Sequence, residues 1–276
     1  MCVAGGLLAA GCEGDEQAGS HAVVAAFYPL AFAAEQVGVG DVETLTPPGA
    51  EPHDFELNAR DIRRVRDASL VVYLGEGFQP AVDAAVRDRT GPSLDALHGL
   101  DLLPGDGEGT AVDPHVWLDP LRYAAIGRAI AREQGDAAAA DRFVGRVEAL
   151  DADFRHGLSR CRRRELVTSH AAFAYLAERY RLRQVPLLGL TPEAEPSAKD
   201  VASLVDAVRR TGATTVFFET LVSPKLAQTV AREAGASTAV LDPLEGLTKT
   251  ETEAGADYFS VMRQNLAALR EALGCA

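Results

Sequence analysis

The sequence predicts an α/β protein of two lobes, each a parallel sheet flanked by helices, joined by one long rigid helix. Three observations predict it. Short apolar or β-branched runs alternate with helical stretches along most of the 276 residues. The alternation lapses once, over residues 124–161, where strand signals nearly vanish. The chain is also long enough for two cores, with 47% hydrophobic and 24% charged residues, the balance of a globular protein.

In chain order, "HAVVAAF" (21–27) and "DVETLT" (41–46) read as short strands with a helical stretch between them. "NARDIRRVRDA" (58–68) reads as a helix, with Asn58 as cap and Asp61 three residues on. "SLVVYLG" (69–75) is a continuous run ending in glycine, the pattern of a buried parallel strand. "PAVDAAVRD" is a further helix and "GPSLDAL" a further strand.

The second half repeats the style. "ELVTSH", "RQVPLLGL", "TTVFFET" and "STAVLDPL" are strands, and "AAFAYLAERY" is a helix. "SAKDVASLVDAVRRTG" is a helix with Ser197 and Asp200 at its start and Gly212 at its end. "SPKLAQTVAREAG" has Ser-Pro in front and Gly235 behind, and "YFSVMRQNLAALREAL" is the last helix. Between the halves, Ala, Arg, Glu and Leu recur at helical spacing from Asp136 onward without an internal proline. The expected divisions are therefore a leader and spacer over 1–20, an N-terminal lobe over 21–135, a linker helix over 136–161 and a C-terminal lobe over 162–276. Periodicity equally allows one continuous α/β domain with an oversized crossover helix.

The formal net charge is −13, and lysine occurs only at 199, 225 and 249. An acidic surface gives nucleic acid no electrostatic foothold. It modestly concentrates cations. No apolar run reaches the roughly 18–20 residues that span a bilayer. The first residues, "MCVAGGLLAAGCEGDEQAGS", form a short apolar stretch of small residues closing on Cys12, followed by a polar spacer. That order reads as an export signal, and small-small-Cys resembles a bacterial lipobox, in which Cys12 carries the lipid. Two features depart from the pattern: the stretch has no Lys or Arg before it, and Ala9 stands where a branched aliphatic residue is commoner. A frayed hydrophobic tail is the alternative. Beyond this segment only Cys161 and Cys275 remain. In an exported chain such a pair is naturally a disulfide, with two reduced buried thiols as the alternative. It would close a loop of 114 residues, which on the chain-entropy account contributes about 4–5 kcal/mol.

Three histidines share a context. His53 in "GAEPHDFEL", His115 in "DPHVWLDP" and His170 in "VTSHAAF" each sit after a strand-like or loop segment and just before a helix. In parallel sheets those connections open onto the carboxyl edge, where ligands bind. Asp242, inside "VLDPLEGL", stands in the same relation to "STAVL". The successive spacings are 62, 55 and 72 residues, which puts two candidates in each lobe and their meeting place in the interlobe cleft. Three neutral imidazoles and one carboxylate make a closed four-coordinate site that suits Zn²⁺, whereas Mn²⁺ favours more oxygen donors. Taken singly, each histidine is an ordinary loop residue. Glu219, ending "TTVFFE", could hold an imidazole tautomer or simply end a strand. Asp113 and Asp119 read as backbone caps, and Glu51 as a poor fifth ligand. His21, His98 and His156 read as surface residues, and Trp117 as a packed neighbour of His115.

"PHDFEL", "DPHVWLDP", "TSHAAFAYLAERY", "TPEAEPS" and "VLDPLEGL", in this order, resemble the zinc- and manganese-binding solute-binding proteins of bacterial ABC importers, the ZnuA/TroA-like family. The resemblance covers essentially everything after residue 21. It implies two α/β lobes bridged by a long helix, with metal ligands at His53, His115, His170 and Asp242. It also fits a Cys161–Cys275 disulfide in the C-terminal lobe. Members that prefer manganese often have Glu at the third position, so His170 argues for zinc. Many zinc members carry a histidine-rich loop before the second ligand, but "LLPGDGEGTAVD" (102–113) contains no histidine. The reading is a monomeric, lipid-anchored, extracytoplasmic receptor that delivers Zn²⁺ to an ABC transporter permease and catalyses no reaction. A manganese or iron receptor of the same fold is one alternative. A zinc hydrolase is another, but a fourth ligand would remove the water it needs. Because bound imidazoles must be neutral, affinity should fall as pH drops through roughly 6.5.

Overall fold

Valine-rich runs with few polar interruptions become the inner strands of two sheets, and each is followed by a helix that returns the chain to the same edge. The computed structural model describes residues 22–105, 111–192 and 196–276. The N-terminal sheet contains β1 (Val23–Ala25), β2 (Val42–Thr44), β3 (Leu70–Tyr73) and β4 (Ser93–Asp95), all parallel, in the order β2-β1-β3-β4. The C-terminal sheet contains β5 (Glu165–Thr168), β6 (Arg183–Pro186), β7 (Thr215–Phe218) and β8 (Ser237–Val240), again parallel, in the order β6-β5-β7-β8. The two sheets thus have one topology, and each reverses its winding beside its first strand. Crevices at such a reversal are where open α/β sheets bind ligands.

Helices α1 (Tyr28–Gln36), α2 (Ala59–Asp67) and α3 (Pro80–Arg87) belong to the N-terminal lobe. Asn58 caps α2 in a reciprocal box with Asp61, as the sequence predicts. In the C-terminal lobe, α6 (Ala174–Tyr180), α7 (Ala198–Thr211), α8 (Lys225–Ala234), the short α9 (Lys249–Glu253) and α10 (Tyr258–Leu273) surround the second sheet. Ser197 and Asp200 box the start of α7, and Gly212 ends it in the left-handed conformation at φ 68°.

The stretch between the lobes holds two helices, α4 (Pro120–Gln134) and α5 (Ala137–Gly157). The chain turns at Gly135, and Asp136 caps α5 by accepting from the Ala139 N–H at 2.6 Å. At 21 residues α5 is about 31 Å long. It packs along α4, and Gly127 makes that approach possible: a Cβ there would lie 2.4 Å from the Phe143 ring.

One continuous core crosses the lobe boundary, from Val23 and Val71 through Tyr123, Phe143 and Phe154 to Leu166, Phe217 and Leu269. The first turn of α10 reaches across it. Tyr258 lies 4.3 Å, ring to ring, from Tyr123, and its hydroxyl donates to the Trp117 carbonyl at 2.7 Å. A second, smaller cluster lies under α7 and α8, built from Val167, Val205, Val208, Val216 and Val230 among others. Cys161 and Cys275 form a disulfide that joins the chain just after α5 to the chain just after α10. Among the described residues no helix is long and apolar enough to cross a membrane. Cys12 and the leader lie outside the described residues.

Candidate metal centre

Each candidate histidine leaves the carboxyl side of a parallel sheet, so the topology aims all three at one space. His53 lies in the connection from β2 to α2, with its ring edge-on to Phe78 at 4.7 Å. His115 precedes a single 3-10 turn (Val116–Leu118) that leads into α4. His170 follows β5 directly. All three are buried, His53 least so at 8% exposure.

Carboxylates fix two of the rings. Asp113 Oδ1 lies 2.8 Å from His115 Nδ1 and also accepts the His115 backbone N–H at 2.9 Å. Glu219 Oε1 lies 2.8 Å from His170 Nδ1 and accepts the Ser169 hydroxyl at 2.6 Å. An ionised carboxylate can only accept, so Nδ1 carries the hydrogen in both rings and Nε2 turns its lone pair toward the centre.

At that centre stands Glu245. Its Oε1 is 3.4 Å from His53 Nε2, 3.1 Å from His115 Nε2 and 3.2 Å from His170 Nε2. One ligand atom from each of the four residues lies within 4.8 Å of the others. Its Oε2 is buried and has no hydrogen-bond partner among the described residues. Tetrahedral bonds of about 2.0–2.1 Å to zinc separate the ligands by roughly 3.3 Å. The distances from Glu245 to the imidazoles match that spacing.

Four atoms that each offer a lone pair cannot sit this close without positive charge among them. In the metal-free protein, protons supply it. Burial opposes the charge on His170, but Glu219 and Glu245 outweigh it and raise its pKa to about 10. Burial likewise opposes the charge on His115, and Asp113 and Glu245 overcome it and raise its pKa. For His53 burial wins and lowers the pKa. Burial favours the neutral acid at Glu245, yet the imidazoles, His170 foremost, hold it well below the usual carboxylate range. A divalent cation could replace those protons. The four buried residues offer a cation three nitrogen donors and one oxygen.

The sequence profile described as "Zinc-uptake complex component A periplasmic", ZnuA, matches residues 23–272. The chain belongs to the ZnuA family. A zinc-binding protein AdcA from Streptococcus pyogenes is 38% identical over 287 residues, covering 91% of this chain and 56% of its own length. The chain therefore spans little more than half of that relative. The high-affinity zinc uptake system protein ZnuA of Bacillus subtilis is 34% identical, covering 91% of this chain and 87% of its own. The crystal structure of Zn(II)-bound AdcA from Streptococcus pneumoniae superposes with a TM-score of 0.80 at 35% identity, over 91% of this chain and 57% of that one.

Within this ZnuA-family fold, the structure brings His53, His115 and His170 together, and a different carboxylate from the expected one stands among them. Glu245, not Asp242, faces the imidazoles. Asp242 is just as buried, at 3% exposure, but its carboxylate turns away into its own loop. There Oδ1 accepts from the Leu244 N–H at 2.7 Å and Oδ2 from the Thr220 hydroxyl at 2.9 Å. Burial raises its pKa to about 7. The strand-end rule selects the first carboxylate after β8, whereas an Asp-Pro pair starts a turn, and the turn delivers the next one. That signal was present in "VLDPLEGL".

Glu219 lies against His170, where it fixes the tautomer. Asp113 does more than cap backbone, since it also holds the His115 ring. Asp119 caps α4 by accepting from Leu121. Glu51 Oε1 is 3.9 Å from His53 Nε2, beyond hydrogen-bond range. His98 and His156 are exposed, and His21 lies outside the described residues. Trp117 is buried, 5.3 Å from the His115 ring, and its indole N–H donates to the Pro243 carbonyl at 2.7 Å.

Proposed function

We propose that this protein captures Zn²⁺ outside the cytoplasm and delivers it to an ABC transporter permease. The observation that carries the reading is the convergence of three Nε2 atoms on Glu245 Oε1, at 3.1–3.4 Å, in a buried site whose four ligand atoms all lie within 4.8 Å of one another. His53, His115, His170 and Glu245 are the ligands, and Asp113 and Glu219 hold two of the rings. Three nitrogen donors and one oxygen favour zinc over manganese, which prefers oxygen. The names of the relatives, zinc-binding and zinc-uptake proteins, support the same cargo.

Glu245 closes the fourth position, so no open site remains for the activated water of a hydrolase. The protein is a receptor and not an enzyme. It acts as a monomer of two lobes, residues 21–135 and 162–276, linked by 136–161. A lipid on Cys12 tethers it to the membrane, as the relative named a zinc-binding lipoprotein suggests. Two ligands come from each lobe, so loosening the lobes against each other would release the ion.

The test is a titration of the chelator-stripped protein with Zn²⁺ and Mn²⁺, followed by calorimetry and Trp117 fluorescence. One tight zinc equivalent, strongly preferred over manganese and weakened in His170→Ala, is the expected result. Tight manganese binding that survives the substitution would overturn both cargo and ligand assignment.

A further inference from the structure

Asp242 is buried, charged-capable and three residues from the fourth donor, yet it points away from the imidazoles. What it holds is the backbone between the two. Its Oδ1 accepts the N–H two residues on, at Leu244, and so closes an Asx turn across Pro243. Leu244 has φ 57°, in the left-handed region that non-glycine residues rarely adopt. Glycine would take that backbone freely, but Leu244 is fully buried in the main core and anchors the loop by its side chain. The loop thus needs a left-handed residue and a large apolar one at the same position. A side-chain acceptor that locks the turn reconciles the two demands.

Four further bonds fix the turn in space. Asn265, buried on α10, accepts the Asp242 N–H at 2.9 Å and donates to the Asp242 carbonyl at 2.7 Å. Thr220 donates to Oδ2, and Trp117 donates to the Pro243 carbonyl. Thr220 directly follows Glu219, the carboxylate on His170, so the chain just after β7 holds both the His170 ring and the turn that leads to Glu245.

We infer that Asp242 is a positioning residue, whose Asx turn holds Leu244 left-handed and so aims Glu245 at the three imidazoles. The inference rests on the reading of Glu245 as the fourth donor. What matters is an oxygen at the Oδ1 place and not the charge it carries. Asparagine offers that oxygen, serine offers a weaker one, and alanine offers none.

The experiment measures Zn²⁺ affinity by chelator competition and the visible spectrum of the Co²⁺-loaded protein, in full-length wild type, E245Q, D242N, D242S and D242A. Apo melting temperatures are recorded beside them. The expected result is that D242A loses roughly ten- to a hundredfold in zinc affinity, the range for residues that orient ligands. Its Co²⁺ spectrum departs from the tetrahedral form, D242S lies between, and D242N restores most of the loss. If D242A does not fold, Asn binding better than Ser still supports the turn. D242N losing as much as D242A would overturn it, because charge or direct ligation would then be the role. So would D242A binding like wild type. E245Q binding zinc like wild type would instead sink the underlying reading of Glu245, whatever position 242 does.

Discussion

The two lobes share one sheet order and each offers metal-facing side chains, but they hold them by different means. In the N-terminal lobe His115 takes its carboxylate from Asp113, two residues away, and His53 stands against the edge of Phe78 with Glu51 Oε1 3.9 Å from its Nε2. In the C-terminal lobe His170 takes its carboxylate from Glu219, 49 residues away on the next strand but one in sequence. Glu245 is placed by a turn tied to α10, to the end of β7 and to Trp117. The N-terminal half of the site is therefore held by a neighbour in sequence, and the C-terminal half is knitted from distant elements. The physical lesson is that the second half is fixed only when the lobe is fully folded. His53, the most exposed of the four, is the natural last contact on entry and first on exit.

The largest effects should come from the donors themselves. His115→Ala, His170→Ala and Glu245→Gln should each weaken zinc by well over the roughly hundredfold seen for outer residues. His53→Ala should cost least of the four, because its ring is the most exposed. Chelator competition measures this ranking. A loss at His53 equal to that at His170 would break the contrast between the halves.

Next in size is the pH dependence. Zinc needs neutral imidazoles, and His115 and His170 have raised pKa values in the metal-free protein, His170 to about 10. At neutral pH the ion must displace up to two protons, so affinity should rise with pH by roughly ten- to a hundredfold per unit between pH 6 and 8. It should keep rising toward pH 10 as His170 ceases to compete. An ordinary imidazole pKa places the window near 6.5, and the two carboxylates on His170 move it upward. Calorimetry in buffers of different ionisation enthalpy counts the released protons directly. Fewer than one proton at pH 7 would contradict the charge state assigned to His170.

Smaller again are the carboxylates behind the rings. Glu219→Gln and Asp113→Asn should each cost roughly ten- to a hundredfold. Glu219→Gln should be the costlier, because Glu219 also accepts the Ser169 hydroxyl and belongs to the grip on the C-terminal loop. Equal losses would mean that the tautomer alone matters and that long-range anchorage adds nothing.

The same contrast explains what could be read in the sequence. Strands, caps and the placement of His53, His115 and His170 in connections that follow strands are local or topological facts, and pattern and chain order carry them. The break before α5 is legible as Gly135 followed by the capping Asp136, and Gly127 lets α4 pack closely against it. The choice between Asp242 and Glu245 depends on which way a buried carboxylate turns. That is settled by Leu244, Thr220 and Asn265, of which two lie far away in sequence and carry no motif of their own. Glu219 was visible only as a strand-end acid, because its partner is 49 residues away.

The smallest effect on metal binding should come from the one covalent tie that distinguishes the lobes. The Cys161–Cys275 disulfide joins the ends of α5 and α10, and Arg162 and Arg163 N–H groups donate to the Leu273 carbonyl beside it. It lies before β5 begins, whereas His170 lies after β5 ends, so the strand separates them. The part of α10 that matters to the site is Asn265 and Tyr258, and Tyr258 is held by the aromatic core with Phe32 and Tyr123. Replacing both cysteines with serine should therefore lower stability by about 2–5 kcal/mol while zinc affinity changes less than about threefold, as for distant independent sites. Denaturant unfolding of the metal-free protein reads the first and chelator competition the second. A tenfold loss of zinc affinity would mean that the far end of α10 transmits strain to Asn265, and that the C-terminal half of the site is held from its base as well as from its rim.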